Sequence, residues 1–385
     1  QTHRISGGLI DRSSTLEFTF NGKKMQGHPG DTLASALLAN GQRLVGRGFK
    51  YHRPRGIFTA GSEEPNALVQ LRSGAHQEPN TRATVTELFD GLTATSQNHR
   101  GSLEFDFMAV TDLLSPFLSA GFYYKTFMWP KAFWEKIYEP IIRSSAGLGS
   151  LSMQEDPDIY DKGFLHCDLL VIGSGPAGLA AALSAARSGA QVILADEDYH
   201  AGGRLNAETY DIDGISGSDW AAQTLAELSA MDNVRVMVRT TVYGAYDHGV
   251  FGALERCTDH LASSDGKPRQ VLWRIYSKRS LLSAGATERP IAFGNNDRPG
   301  IMLAGAVRTY VNRYGVSPGK QVAIFTNNDD GWRTATDLAA KGVDISAVID
   351  ARDIEPPASV HGAAVYMGSS VVDTAGRKGL RAITL

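Results

Sequence analysis

The sequence predicts an α+β domain followed by α/β structure, and three observations carry this prediction. The amino-terminal residues alternate between polar and apolar side chains, turn at an Asn-Gly pair and continue into an apolar helix. A strand, a glycine-rich turn and a helix of small residues follow near the middle of the chain. A second strand–helix–strand pattern lies beyond residue 320. At 385 residues the chain has room for two to three such domains.

Residues 1–95 predict an amino-terminal arm and a β-grasp domain of the ferredoxin type. Residues 15–20 favour a strand that enters a two-residue hairpin, and an apolar helix follows with Asp31 as its expected N-cap. A further strand is expected at Ala67–Leu71. In ferredoxins of this type, cysteines in the loops after the helix hold a two-iron cluster. The loop Gly56–Asn66 contains no cysteine, so we expect the domain to lack the cluster.

Residues 96–163 predict an aromatic-rich connector. Between residues 105 and 138 lie 11 of the chain's 33 aromatic side chains. One interpretation is a segment that packs on the chain's own domains. The other is a contact with another subunit, because Trp, Tyr and Phe are enriched at interface cores. Under both interpretations we expect these side chains to be buried.

Residues 164–300 predict a Rossmann-type nucleotide-binding domain. An apolar strand over 168–172 leads into a Gly-Ser-Gly-Pro-Ala-Gly turn, a helix to Ser188 and a second strand over 191–195. In such turns one glycine makes the bend, the next lets the backbone approach a pyrophosphate, and the third lets helix and strand pack closely. The helix N-terminus then faces the phosphates. The expected pyrophosphate contacts are Gly173, Ser174, Gly175, Pro176, Ala177 and Gly178.

An acidic pair, Asp196-Glu197, follows the second strand and begins 23 residues after Gly173. A carboxylate at this position accepts hydrogen bonds from an adenosine ribose. The pair argues against a 2′-phosphate, and therefore against NADP, although Arg204 weakens that argument. Gly203 and Arg204 belong to a second glycine signature of two-dinucleotide-binding flavoproteins, and the segment 281–290 is similar to their cofactor-closing turn. Spacing alone does not separate FAD from NAD.

Residues 301–385 predict a second strand–helix–strand unit that holds no nucleotide of its own. We expect a strand over 321–325, a helix over 332–341 and a strand over 344–349. The turn Thr326–Gly331 has asparagines and aspartates in place of glycines, so its side chains would block the backbone and repel phosphate. Residues 379–385 suggest one strand of a hairpin without its return. We therefore expect this chain to be the amino-terminal part of a longer polypeptide.

Composition and charge exclude several classes of function. Lys and Arg total 38 against 41 for Asp and Glu, so the chain has no general basic character for binding nucleic acid. Its two cysteines, Cys167 and Cys257, are too few for a metal site or a disulfide framework. The longest uncharged apolar stretch of the connector, residues 113–124, is far shorter than the roughly 20 residues of a membrane span. We expect a cytoplasmic chain with no metal, nucleic acid or membrane partner.

Three features together resemble the large α subunits of heterotetrameric sarcosine oxidases. They are the cysteine-free ferredoxin-like start, the run 48–56 with 64–66, and the fingerprint 171–178. The resemblance implies an assembly of α, β, γ and δ subunits that converts sarcosine, oxygen and water to glycine, hydrogen peroxide and formaldehyde. With tetrahydrofolate, the one-carbon product is 5,10-methylenetetrahydrofolate. The family's α subunit continues into a folate-binding domain similar to aminomethyltransferases.

In that family the β subunit carries the FAD that oxidises sarcosine, an FMN lies at the α–β interface, and the α-subunit fingerprint holds NAD. The resemblance implies the same nucleotide here, with residues 173–178 on the pyrophosphate. It places two acids on the ribose and three further residues along the site: Asp196, Glu197, Gly203, Arg204 and Val242. It assigns no catalytic residue to this chain, and the chemistry would lie on a partner subunit.

Two other functions stay open at this point. One is a subunit of an opine or imino-acid dehydrogenase, although several such relatives keep cluster cysteines that this sequence lacks. The other is a standalone FAD-dependent reductase, against which the blocked second turn argues.

Two further groups of residues have less specific interpretations. For His52, with Lys50, Arg53 and Arg55, we favour a solvated or interdomain basic loop over contact with a flavin phosphate. His166 and Cys167 are expected to precede the first strand of the nucleotide domain and to be structural.

Overall fold

The computed structural model describes residues 1–118, 121, 127, 129–145 and 147–385. The amino-terminal elements are, in chain order, β1 (Leu16–Phe20), β2 (Lys23–Gly27), α1 (Leu33–Ala39), β3 (Gly46–Arg47), β4 (Pro54–Arg55), β5 (Leu68–Leu71), β6 (Glu78–Arg82) and β7 (Leu92–Ser96). Five strands form one sheet in the order β2-β1-β7-β5-β6, in which β1 and β7 run parallel. All seven residues of α1 are buried. The predicted β-grasp domain is confirmed.

The cap of α1 differs from the prediction by one residue. Thr32 is the N-cap, and it forms a reciprocal capping box with Ser35. The carboxylate of Asp31 accepts a hydrogen bond from the Ser35 hydroxyl at 2.6 Å and pairs with the Arg4 guanidinium at 2.6 and 3.1 Å. The prediction of Asp31 as the cap is therefore wrong, because its carboxylate forms an ion pair with the distant Arg4 instead.

The connector is far more exposed than the sequence predicted. Its helix α2 spans Glu139–Ser145. Five of its aromatic side chains are between 44% and 83% exposed, and these are Phe105, Phe107, Phe117, Trp129 and Phe133. The interpretation that these five side chains pack on the chain's own domains is therefore wrong, since no other part of the described chain covers them. The interpretation of a contact with another subunit stays a prediction. Phe122, Tyr123 and Tyr124 lie outside the described residues.

The nucleotide-binding domain contains a six-stranded sheet. Its elements are β8 (Tyr160–Ile172), α3 (Pro176–Arg187), β9 (Val192–Ala195), β10 (Asp211–Ile212), β11 (Ile215–Ser216), α4 (Gly217–Ser229), β12 (Val234–Met237), β13 (Thr240–Tyr246), β14 (Val250–Arg256) and β15 (Gln270–Leu282). The order is β12-β9-β8-β15-β14-β13, with parallel pairing from β12 to β15 and antiparallel pairing beyond. The predicted Rossmann-type fold is confirmed.

Strand β8 begins eight residues earlier than predicted, at Tyr160. It pairs along its whole length with the 13-residue strand β15, so its first half is held by a partner about 110 positions away. His166 and Cys167 therefore lie inside this strand and do not precede it. Cys167 is buried, and burial raises the pKa of its thiol, in agreement with a structural role.

The carboxyl-terminal part comprises α5 (Ala304–Asn312), β16 (Gln321–Thr326), α6 (Asp329–Ala340), β17 (Asp344–Asp350), β18 (Ala364–Tyr366), β19 (Asp373–Ala375) and β20 (Ala382–Thr384). Strands β16, β17 and β18 form a parallel sheet. Strand β20 pairs antiparallel with β19, so the expected lone strand does have a hairpin partner, and that expectation was wrong. Helix α6 begins three residues earlier than predicted because Asn328 caps it.

Helix α5 joins the carboxyl-terminal part to the β-grasp domain. Tyr310 of this helix and Tyr314, two residues beyond its end, are buried in the same core cluster as Phe18 and Leu37. The Tyr310 hydroxyl donates a hydrogen bond to the Thr59 carbonyl at 2.8 Å. Among the described residues, no helix combines the length and apolar character that crossing a membrane requires.

Candidate nucleotide-binding site

The glycine-rich turn between β8 and α3 has an open backbone surface. Gly173 has φ +103°, and a Cβ there would lie 2.5 Å from the Ser283 carbonyl oxygen. A Cβ on Gly178 would lie 1.8 Å from the Gly173 carbonyl oxygen. A Cβ on Gly175, by contrast, would meet no atom within 4 Å. The first and third glycines are therefore required by packing, and Gly175 borders free space in front of the helix.

The N-terminus of helix α3 borders that space. Its N-cap is Gly175, which supplies no side-chain hydrogen bond, and Pro176 occupies the first turn. The first N–H groups of a helix have no partner inside the helix and attract anions. The segment after β15 borders the same turn, because the Ser283 N–H donates to the Ile172 carbonyl at 2.7 Å. The geometry fits a pyrophosphate, because the space in front of Gly175 lets a phosphate approach the backbone of the turn.

The two predicted acids have different environments. Asp196 accepts hydrogen bonds from the backbone N–H and the hydroxyl of Ser174, at 2.5 and 2.7 Å, and from the Asp198 N–H at 2.8 Å. Its carboxylate thus ties the end of β9 to the glycine-rich turn. Glu197 is exposed, and its Oε1 accepts a hydrogen bond from the Ser62 hydroxyl at 2.7 Å. Of the pair, Glu197 has the carboxylate with free acceptor capacity.

A buried arginine fixes the loop that follows these acids. Arg313, at the end of α5, donates two hydrogen bonds to Asp198, at 2.5 and 2.8 Å. Its guanidinium also lies 4.9 Å from the ring centre of Tyr199, whose hydroxyl donates to the Gly30 carbonyl. Burial opposes the ionisation of Asp198, but the hydrogen bonds and charge of Arg313 outweigh it and lower the pKa of that carboxyl.

The three remaining predicted site residues have different contacts, and of these contacts one is made directly with the turn. Gly203 has φ +54°, and a Cβ there would lie 3.0 Å from Gly175 Cα, so it packs directly on the turn. Val242 lies in β13 and packs on a cluster that includes Ala195, at the end of β9. The Arg204 guanidinium instead pairs with Glu208 and with Asp330, the latter at 2.6 Å.

The second strand–turn–helix has no comparable cradle. A Cβ on Gly331 would lie 2.3 Å from the Thr326 hydroxyl oxygen. Asp330, in the first turn of α6, pairs with Arg204 and with the buried Arg308 at 3.2 Å. Carboxylates of the chain itself therefore stand at this helix N-terminus, where a phosphate would otherwise bind. These contacts support the prediction that this unit holds no nucleotide.

The basic run near residue 52 is an interdomain contact. Arg53 pairs with Asp297 at 2.9 Å, and Arg55 pairs with the same carboxylate. His52 is only 2% exposed, and its Nδ1 lies 2.6 Å from Asp106 Oδ2. The prediction of a solvated loop is wrong for this histidine, and the interdomain alternative is confirmed for the arginines.

Sequence reasoning did not find Ser62 or Arg313. Both act across domain boundaries, and neither belongs to a local motif that could have indicated its contact. No group of three or more His, Cys, Asp or Glu within the described parts of the chain has the arrangement of a metal site.

Two family models match parts of the chain. A model described as a 2Fe-2S iron-sulfur cluster binding domain matches residues 13–99, and one described as an FAD dependent oxidoreductase matches residues 168–249. Residues 13–99 contain no cysteine, so the thiolate ligands of a two-iron cluster are missing and this group does not fit the domain.

The chain is also similar to individual proteins. It is 57% identical to the sarcosine oxidase subunit alpha of Rhizobium meliloti (strain 1021), over 98% of this chain and 38% of that protein. It is 42% identical to the subunit alpha of Corynebacterium sp. (strain P-1), over 95% of this chain and 34% of that protein. L-proline dehydrogenase from P. horikoshii shares the fold, with a TM-score of 0.62 and 18% identity over 97% of this chain and 57% of that one.

The chain thus spans less than two-fifths of the length of these curated relatives. The predicted resemblance is confirmed, because the 57% identity to the first of these subunits extends over 98% of this chain. The chain is therefore part of an oxidoreductase subunit, and its nucleotide domain is similar to those of FAD dependent oxidoreductases. The chain is homologous, over nearly its whole length, to the α subunits of sarcosine oxidase.

Proposed function

We propose that this chain is the nucleotide-binding part of a sarcosine oxidase α subunit, and that NAD is the nucleotide that it holds. The observation that carries the proposal is the free space in front of Gly175, at the N-terminus of α3. The neighbouring Ser174 N–H donates a hydrogen bond to Asp196, which holds the turn in place. Residues 173–178 would contact the pyrophosphate, and Gly203 packs against Gly175 in the turn. The acidic pair disfavours a 2′-phosphate.

Glu197 is the proposed partner of the adenosine ribose. Asp196, which the sequence placed there as well, already accepts three hydrogen bonds from the chain. Its proposed role is to hold the turn and the acidic loop in register. Val242 would line the site from β13, because the Thr240 N–H donates to the Asp196 carbonyl and brings that strand beside the acids. Arg204 would act more remotely, through its ion pairs.

FAD is the second candidate for the same cradle. The family model that matches residues 168–249 describes FAD dependent oxidoreductases, and an adenosine diphosphate half is common to both cofactors. We prefer NAD because of the resemblance to α subunits. NAD and FAD differ in mass, so mass spectrometry of the released nucleotide distinguishes them.

The oxidation of sarcosine would take place outside this chain. We propose a cytoplasmic assembly with β, γ and δ subunits, in which FAD and FMN belong to the partner and to the interface, and tetrahydrofolate to the rest of the α subunit. The exposed aromatic side chains of the connector support a subunit contact, since Phe117 and Trp129 are 75% and 83% exposed in the isolated chain.

The test of this function is an activity measurement on the assembly. We expect the α subunit purified with its partner subunits to produce hydrogen peroxide from sarcosine and oxygen, and to transfer the one-carbon unit to added tetrahydrofolate. We expect this chain alone to produce none. Oxidation of an opine or imino acid in place of sarcosine would overturn the proposal and favour the dehydrogenase alternative. NADPH or NADH turnover by the isolated chain would favour the standalone reductase.

A further inference from the structure

The cysteine-free loop of the β-grasp domain is built around one buried carboxylate. Glu64 is 1% exposed. Its two oxygens accept five hydrogen bonds, from the N–H groups of Phe58, Thr59, Asn66 and Ala67 and from the Thr59 hydroxyl, at 2.6 to 3.1 Å. Both ends of the loop therefore converge on a single anion.

The Glu64 carboxylate takes the structural role that a two-iron cluster would have in this loop, namely a central acceptor of hydrogen bonds. A thiolate-bound two-iron cluster is a buried anionic centre whose sulfurs accept hydrogen bonds from the surrounding loop. The Glu64 carboxylate is an anionic centre of the same kind made from the chain itself, and its charge-assisted hydrogen bonds are of the stronger class. The loop therefore keeps a defined shape without metal ligands.

The rest of the protein holds this loop against the nucleotide domain. Tyr310 donates to the Thr59 carbonyl, and the Thr84 hydroxyl donates to the Gly61 carbonyl at 2.7 Å. The next residue, Ser62, donates its hydroxyl hydrogen to Glu197 Oε1 at 2.7 Å. The part of the β-grasp domain that would have carried a cluster thus touches the acid at the nucleotide site.

We propose that this loop has become a wall of the nucleotide site, in which Glu64 sets the shape of the loop and Ser62 orients the Glu197 carboxylate toward an adenosine ribose. This inference rests on the proposed function, because it takes the ligand to be an adenine dinucleotide. Ser62 occupies Oε1 of Glu197 and leaves Oε2 to accept from the 2′- and 3′-hydroxyls. Ser62 and Glu64 are positioning residues, since neither is required to touch the reacting atoms.

The first experiment compares nucleotide affinity in serine variants. It uses the full α subunit in its assembly, stripped of bound nucleotide, with NAD binding measured by calorimetry. We expect Ser62→Ala to weaken NAD binding about threefold to tenfold without changing the melting temperature of the nucleotide-free protein. Ser62→Thr keeps the hydroxyl and is expected to bind NAD nearly as the parent does. Ser263→Ala, which removes an exposed hydroxyl bonded to Asp265, is the matched control.

The second experiment tests the link between the two positioning residues. Glu64→Gln turns an amide N–H₂ group toward N–H donors, so we expect both a lower melting temperature and weaker NAD binding. Because Glu64 acts through Ser62, the double variant Ser62→Ala/Glu64→Gln is expected to bind NAD no more weakly than Glu64→Gln does.

Two outcomes separate this inference from the proposed function. If Ser62→Ala binds NAD as the parent does, while Gly175→Val no longer binds it, the nucleotide site stands and the role of the loop is overturned. If the parent itself binds no NAD, the proposed function has failed. Independent, additive losses in the double variant would contradict the coupling of Glu64 to Ser62.

Discussion

Asp196 accepts hydrogen bonds from both the backbone N–H and the hydroxyl of Ser174, at 2.5 and 2.7 Å. This contact joins the end of one strand to the glycine-rich turn of its neighbour. It also separates two acids that the sequence treats as equivalent, because the adjacent Glu197 faces solvent and contacts Ser62. The two neighbouring acids therefore have different roles, Asp196 in the fold and Glu197 at the surface of the site.

Replacing Asp196 by alanine is expected to destabilise the fold. The buried Ser174 would lose the acceptor of its backbone N–H, and an unpaired buried donor costs about 1–3 kcal/mol. The measurement is urea unfolding of the nucleotide-free protein. An Asp196→Ala variant as stable as the parent would contradict the structural role given to this carboxylate.

Replacing Glu197 by alanine is expected to weaken NAD binding and to leave the stability of the fold almost unchanged. The side chain is exposed, so the free energy of unfolding should change by no more than about 0.5 kcal/mol. NAD affinity should fall at least about tenfold, because the ribose loses a charged acceptor. Calorimetric titration measures this fall, and Asp196→Ala serves as the comparison. Unchanged affinity in Glu197→Ala would exclude it from the ribose site.

Gly175→Val is expected to block nucleotide binding without damage to the fold. A Cβ at this position meets no protein atom within 4 Å, and the backbone φ of −68° is accessible to valine. The added methyl groups would therefore occupy the space in which a pyrophosphate is proposed. The melting temperature without nucleotide and the dissociation constant for NAD are the two readouts. A variant that folds and still binds NAD normally would show that the ligand lies elsewhere.

The Arg313–Asp198 pair is expected to make stability depend on pH in acid. The pKa of Asp198 in the folded protein lies below its ordinary value of 3.8. Its contribution is therefore fully present above that value and is lost as the pH falls through the lower pKa of the folded state. Asp198→Asn should cost about 2–3 kcal/mol at pH 7, below the range for a fully buried pair because Asp198 is partly exposed.

Urea unfolding at pH 7 and at pH 3 checks this prediction. The difference in unfolding free energy between the parent and Asp198→Asn should shrink at the lower pH. An equal difference at both values would mean that the ionised carboxylate of Asp198 contributes nothing. Asp265→Asn, in an exposed loop, is a suitable control for the general effect of removing a carboxylate.

The α subunit is expected to bind one adenine dinucleotide and not two. The second turn carries Asp330 and a Gly331 that is closed off by Thr326, and neither leaves backbone open to a phosphate. Equilibrium titration of the stripped protein with NAD measures the ratio. A second site of similar affinity that Gly175→Val leaves intact would contradict this interpretation.

Local patterns were sufficient to predict the nucleotide turn. The backbone demands of Gly173, Gly175 and Gly178 depend on neighbours within one strand–turn–helix unit, so their spacing carries the information. The same holds for the β1–β2 hairpin. Fold class was predictable for this reason, whereas the ends of elements were not: the early start of β8 depends on its pairing with the distant strand β15.

The contacts that shape the site could not be predicted from local patterns. Arg313 lies 115 positions from Asp198, and Ser62 lies 135 positions from Glu197. The ion pair of Asp31 with Arg4, 27 positions away, likewise leaves no local pattern, so the position of Asp31 beside the helix indicated a cap instead. The exposure of the connector aromatics likewise depends on what covers them, which their composition does not reveal.

The identity of the bound nucleotide tests the central claim most directly. The α subunit is purified in its assembly, unfolded, and separated from the released small molecules, which are identified by mass spectrometry. The flavins of the assembly are assigned by repeating the measurement with Gly175→Val, which should lose only the nucleotide of this chain. We predict that NAD is the molecule lost in that variant. Loss of FAD with NAD absent from both samples would contradict the claim.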